Sequence, residues 1–183
     1  MNSPQKFTHF SLEELNQGLP HIRETSKDSG TLDAIVIRPK ENERVSLDEC
    51  ELSPEGGVHG DGWAKKEGGR PEPRIQVTLM NARAISIIAG SKERWPLAGD
   101  QLYVDFDLSE DNLPPGQSLA IGGCVLEITD QPHTGCTKFA ERYGQDALRF
   151  VNSDEGKRMH LRGIYAKIVQ AGTISVGDTV KKI

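Results

Sequence analysis

The segment QPHTGCTKFAER (131–142) places Cys136 between a turn-forming polar stretch and residues spaced like a first helical turn. A helix starting at Thr137 or Lys138 sets this cysteine where free backbone N–H groups and the positive end of the helix dipole favour a thiolate. Such a thiolate is a nucleophile or a soft-metal ligand. The other two cysteines offer less: Cys124 lies inside a strand-like run and reads as a core residue, and Cys50 sits in a polar stretch with no evident partner. The competing reading of Cys136 is that of a small buried hydrophobe. Two tighter patterns also pass through it. Cys136 and Arg142 have the C-x5-R spacing of thiol phosphatases, but the intervening TKFAE has no glycine and follows a helical period. His133 and Cys136 stand three apart, as in a zinc pair, yet a second pair is missing, since His59 and His160 are isolated.

The elements that must carry these residues are mostly strands. LDAIVIR (32–38), IQVTLM (75–80), QLYVDFDL (101–108), SLAIGGCVLEIT (118–129), GIYAKIVQ (163–170), TISV (173–176) and TVKKI (179–183) alternate or are rich in β-branched residues. In QLYVDFDL, Leu102, Val104, Phe106 and Leu108 share one face, predicted as core, and Tyr103, Asp105 and Asp107 share the other, predicted as wet. Gly and Pro turns separate these runs, which favours an all-β barrel over a βαβ sheet. One long helix is expected over 138–151, because Phe139, Tyr143, Ala147 and Val151 recur every four positions; Gly144 weakens it without breaking it. Residues 1–31 form an N-terminal extension with one short helix, begun by a Ser11/Glu14 capping box and stopped at Gly18-Leu19-Pro20. The stretch 62–74 reads as a mobile loop.

Composition narrows the partners. With 22 Lys+Arg against 27 Asp+Glu, a net charge of −5, the chain lacks the basic excess of a dedicated nucleic-acid binder. No stretch approaches the roughly 20 apolar residues needed to span a bilayer, and MNSPQKFTHF is not a signal peptide. Three scattered cysteines suggest neither a disulfide framework nor a four-cysteine zinc site, so the thiols are expected to be reduced and the protein cytoplasmic. A small molecule or another protein is the expected partner, with no nucleic acid and no membrane.

Five segments, in order, resemble the MOSC domain, the module at the C-terminal end of molybdenum cofactor sulfurases that also occurs alone. They are GGVHGD (56–61), RIQVTLM (74–80), LAGDQLYVDFDLSEDNLPPGQSLAIGG (97–123), LEITDQPHTGCTKF (126–139) and RGIYAKIVQAGTISVGD (162–178). The resemblance covers residues 32–183. It implies a closed, mostly antiparallel β-barrel with a few short helices, and a cysteine at Cys136 that carries a persulfide or ligates molybdenum. The implied function is a molybdenum-cofactor-binding or sulfur-carrier protein. Its chemistry would be sulfur transfer or molybdenum-dependent reduction of N-hydroxylated compounds, as in the related mitochondrial amidoxime-reducing component. The alternative is a non-catalytic β-barrel interaction module in which Cys136 only packs. No pyridoxal phosphate is expected in this chain, so the sulfur donor would be a separate cysteine desulfurase.

A pyranopterin cofactor carries a phosphate and needs cationic or N–H donors. Arg74, Lys138 and Arg162 fall inside the matching motifs and are candidates. Thr134 offers a hydroxyl, and His59 and Asp61 in GGVHGD are candidates for the rim. The expectation is that Cys136, the helix start at Thr137–Lys138, Arg74 and Arg162 line one cleft. Gln101 and Trp63 depart from the family pattern, replacing an asparagine and a histidine or other polar residue.

Overall fold

The computed structural model describes residues 7–65 and 72–183. Residues 66–71 of the expected loop 62–74 lie outside them. Eleven strands are described: β1 (Ser29–Ile37), β2 (Val45–Leu47), β3 (Glu49–Ser53), β4 (Gly57–Val58), β5 (Val77–Asn81), β6 (Leu102–Asp105), β7 (Ser118–Ile121), β8 (Cys124–Ile128), β9 (Ile164–Gln170), β10 (Gly172–Ser175) and β11 (Thr179–Lys182). Seven close a ring in the order β1-β11-β7-β8-β9-β5-β6, with β6 returning to β1. The barrel is mixed, because β5 and β6 run parallel while the other ring neighbours are antiparallel. β2 extends β1 outside the ring, and β3, β4 and β10 form a small separate sheet.

A parallel pair needs a crossover connection, and here helix 82–89 begins it. Asn81 caps that helix by accepting from the Ala84 N–H, and Gly90 ends it in the left-handed conformation. A run of 3-10 turns (Lys92–Ala98) then returns the chain to β6. In chain order the helices are α1 (Leu12–Gln17), α2 (Leu19–Arg23), α3 (Ala82–Ala89), α4 (Thr137–Tyr143), α5 (Gln145–Asn152) and α6 (Asp154–Arg158). The capping box at Ser11/Glu14 is formed as the residues suggest.

Two apolar layers result. Leu32, Ile35, Leu79, Leu102, Val104, Phe106, Leu126 and Ala166 fill the barrel. A second layer joins the barrel's outer face, through Val36, Met80 and Tyr103, to Leu15, Ile85, Ile88, Phe139, Tyr143 and Phe150 of the helices. The expected wet face of β6 is therefore corrected: Tyr103 is fully buried and donates to the Trp95 carbonyl, and Asp105 is paired with Arg83. Alternation in the sequence showed two faces but not the helical layer covering one of them. The expected single helix over 138–151 is also corrected. It is two helices, broken at Gly144, whose φ of 96° and ψ of 163° suit glycine almost alone.

Candidate functional site

A cleft of about 940 Å³ opens where the β8–α4 connection meets the ends of β1 and the 3-10 run. Cys136 lies on it at the N-cap of α4, which begins at Thr137. Its carbonyl accepts from the Phe139 and Ala140 N–H groups, its side chain makes no capping bond, and it is exposed. The other thiols are buried. Burial pushes both up, Cys124 to about 11. Cys50 corrects the expectation of a loop position: it sits in β3, within 3.5 Å of the His59 carbonyl. Cys136 is thus the one exposed cysteine among the described residues.

Cations dominate the cleft. Arg38, Lys40, Arg44, Lys138, Arg142 and Arg162 line it, against the acidic side chains of Glu41 and Asp61. Three of the arginines converge on Gly99. Arg38 donates from Nη1 to the Gly99 carbonyl at 2.9 Å, and a Cβ added to Gly99 would lie 3.5 Å from Arg44 Nη2 and 3.8 Å from Arg142 Nη1. Arg142 is held by the Leu97 carbonyl at 2.7 Å. Arg44 Nε is buried without a hydrogen-bond partner. Its guanidinium is pushed below the usual arginine range by burial and by the positive charges of Arg142 and Arg38.

Asp61 is not a rim residue. It is buried and fixes Arg38, accepting from the Arg38 backbone N–H at 2.8 Å and from Nε and Nη2 at 3.2 Å each. It also accepts from the Trp63 N–H and from Gln101 Nε2. Gln101, the departure from the family pattern, is buried and accepts from the Thr78 N–H and hydroxyl, so it joins Asp61 to β5. Trp63 is also buried and donates from Nε1 to the Glu72 carbonyl.

Behind the cleft Arg162 and Asp100 form a buried ion pair at 2.6 Å, and Arg162 also donates to the Ala98 carbonyl at 3.0 Å. His133 lies beside them, tilted over Tyr165 with ring centroids 4.4 Å apart. Burial, reinforced by the Arg162 charge, pushes its imidazole down to about 4, so it is neutral near pH 7. Burial and then the Asp100 charge raise the Tyr165 hydroxyl, leaving it protonated.

Of the sequence-derived candidates, Cys136, Lys138, Arg162 and Asp61 meet in this cleft, and Arg74, Thr134 and His59 do not line it. Arg74 lies in the middle of a 3-10 turn (Pro73–Ile75) before β5 and is exposed, paired with Glu72 and near Asp130. Thr134 lines a neighbouring cleft. His59 is exposed beside β3, where its N–H donates to the Glu51 carbonyl. The sequence reading missed Arg38, Arg44 and Arg142. Arg142 was visible only as the second residue of the C-x5-R spacing, and Arg38 only as the polar end of a strand. Among the described residues no three His, Cys, Asp or Glu side chains could jointly hold a metal ion, and no helix is long and apolar enough to cross a membrane.

Residues 94–181 match the model of the MOSC domain. The fold is similar to the YuaD protein of Bacillus subtilis, with a TM-score of 0.63 at 18% identity over 84% of this chain and 95% of that one. It is also similar to YiiM from Escherichia coli, with a TM-score of 0.54 at 16% identity over 84% of this chain and 69% of that one. YiiM from Geobacillus stearothermophilus gives 0.57 at 15% identity, over 84% and 75%. No curated protein matches the chain in sequence.

Proposed function

We propose that the cleft binds a phosphate-bearing molybdenum cofactor and that Cys136 serves it as molybdenum ligand or sulfur carrier. The observation that carries this reading is the convergence of Arg38, Arg44 and Arg142 on Gly99, in the cleft that holds the exposed Cys136. Crowded guanidiniums repel one another. A phosphate dianion relieves the repulsion, since arginine matches its oxygens in a bidentate fork. Lys40 and Lys138 add charge at the rim. The absence of a three-residue metal cluster among the described residues suits a metal that arrives with most of its ligands on the cofactor and takes one soft thiolate from the protein.

When bound, the cofactor would supply two-electron redox chemistry at the metal. The protein's part is to anchor the phosphate on the arginines, hold Cys136 at the start of α4, and keep a neutral His133 and Tyr165 nearby. In the carrier role, the Cys136 thiolate attacks the outer sulfur of a desulfurase persulfide. The donor's S–S bond breaks, the donor leaves as a thiolate, and Cys136 keeps the sulfur as a persulfide. The test is protein purified from a molybdate-fed host, assayed for molybdenum and for inorganic pyrophosphate binding to the apo form. Cys136→Ser should lose molybdenum or persulfide sulfur and keep pyrophosphate binding, and Arg142→Ala should weaken pyrophosphate binding. Neither molybdenum nor persulfide on the wild type, together with no pyrophosphate binding, would overturn the reading.

A further inference from the structure

A second cleft of about 500 Å³ adjoins the first and shares His133 and Arg162 with it. Its walls include Leu113, Pro115, Ile128, Val151 and Ile164, and its size suits a small organic molecule. Two imidazoles, His133 and His160, also line it, and each has its Nδ1 turned to the protein. His160 Nδ1 lies 2.6 Å from the Leu108 carbonyl. A carbonyl only accepts, so Nδ1 carries the proton and Nε2 keeps a lone pair. His133 Nδ1 is shut off from solvent, 3.7 Å from Asp100 Oδ1. A lone pair there would face those of the carboxylate, so the proton again sits on Nδ1 and Nε2 is the acceptor. Among the described residues nothing donates to either Nε2, and neither is closed off as His133 Nδ1 is. His160 is held at a φ of 50°, a left-handed backbone that few residues adopt, by its N–H on the Lys157 carbonyl and the Gly163 N–H on its own carbonyl. Such strain gathers at ligand-binding sites.

We infer that this second cleft binds a neutral molecule with an apolar ring and hydroxyl or amino donors, which hydrogen-bond to His133 Nε2 and His160 Nε2. The two imidazoles are near enough that the charge of one is felt at the other, so one small ring can serve both. Charge sets the rest of the specificity. An anion offers no donor and sets its oxygens against two lone pairs. A cation would donate, but at His133 the positive charge of Arg162 outweighs the negative charge of Asp100, so it would enter a repulsive field. The acidic side chains on this cleft, Glu110 and Asp130, are exposed and screened by solvent. Since Arg162 and His133 belong to both clefts, the ligand would lie next to the cofactor as a substrate; that role rests on the cofactor reading, whereas binding itself does not.

The experiment is titration of the full-length apo protein with resorcinol, its dimethyl ether, benzoate and benzylamine, observed through backbone amide NMR signals. At pH 8 imidazoles and phenols are both neutral. Resorcinol should shift the Gly163, Ile164 and Val151 signals saturably, with benzoate and benzylamine at least about tenfold weaker, the loss of two hydrogen bonds or the repulsion of a cation. His133→Phe keeps a ring against Tyr165 and removes the acceptor; His160→Asn does so with a residue that tolerates the left-handed backbone. Each should weaken resorcinol roughly two- to tenfold, one hydrogen bond, and leave the ether, which has no donor, unchanged. If resorcinol shifts none of these signals in the wild type, or binds no tighter than benzoate or benzylamine, the site is refuted, whether or not the variants fold. Folded variants that bind resorcinol like the wild type, or that weaken the ether equally, also refute it. Pyrophosphate titrated into the same sample reports on the Gly99 and Arg142 signals. The cofactor reading therefore fails or stands separately.

Discussion

Replacing Arg162 by Met should lower stability by about 3–5 kcal/mol, the usual range when one partner of a buried ion pair is removed. The upper half is expected. Asp100 is fully buried, its Oδ2 takes its 2.6 Å bond from Arg162, and its Oδ1 already lacks a partner, so the variant strands a whole carboxylate charge. The Ala98 carbonyl, which ends the 3-10 run, loses its Arg162 donor as well. Urea unfolding followed by tryptophan fluorescence reports this directly, because Trp63 and Trp95 are both buried. With a slope of about 2 kcal/mol/M, the midpoint should fall by roughly 1.5–2.5 M. Adding Asp100→Asn should recover part of the loss, though not the part due to Ala98. A second readout is His133: the Arg162 charge helps hold its imidazole down, so its titration should move upward in the variant. A loss below about 1 kcal/mol, or a double variant no more stable than the single one, would refute the view that this pair is mutually dependent.

Arg142→Ala should weaken pyrophosphate binding by about 1.5–3 kcal/mol in calorimetry, the value of a charged hydrogen bond, whereas Arg74→Ala, on an exposed side chain outside the cleft, should leave it unchanged. His133 has a folded pKa of about 4 against an ordinary 6.5, so the unfolded chain takes up its proton first as pH falls. Its contribution to stability is therefore complete above about pH 6.5 and is lost between there and pH 4, on the order of 3 kcal/mol; His133→Phe should flatten the stability curve across that window. Gly144→Ala should cost about 1–3 kcal/mol in thermal unfolding, because alanine cannot take a φ of 96° without strain and its Cβ would come within 2.9 Å of His9.

The barrel strands were legible because burial on one face imposes a period of two, as in β8, and because glycine and proline separate the runs. What escaped was whatever that pattern does not record. ERVSLDECELS (43–53) is acidic and reads as loop, yet forms β2 and β3, since Cys50 and Leu52 alone need a core. The helix α3 is short and continues the apolar run of β5 without a break, so its helical period was hidden; the Asn81 cap and Gly90 were the available signals. At Gly144 the four-residue period continues across the break, because both helices face the same apolar layer. Cys136 was legible because a thiol before a helix start has local chemical meaning. Arg38, Arg44 and Arg142 have none separately, and only the fold brings them to Gly99. Arg74 was chosen for standing in a family motif, but the 3-10 turn before β5 carries it onto Glu72 instead.

The ring closes where Ser29–Thr31 of β1 pair with Thr179–Lys181 of β11, partners separated by roughly 150 residues. During synthesis, β1 emerges long before β11 exists, and at about 5–20 residues per second its open edge waits many seconds for its partner. β7, which also pairs with β11, waits too. Such edges readily recruit strands from other chains. Slowing translation or raising the density of ribosomes on one message should therefore favour insoluble product for this protein more than for one whose strands close locally, and a prompt chaperone should matter most in the interval before β11 is made.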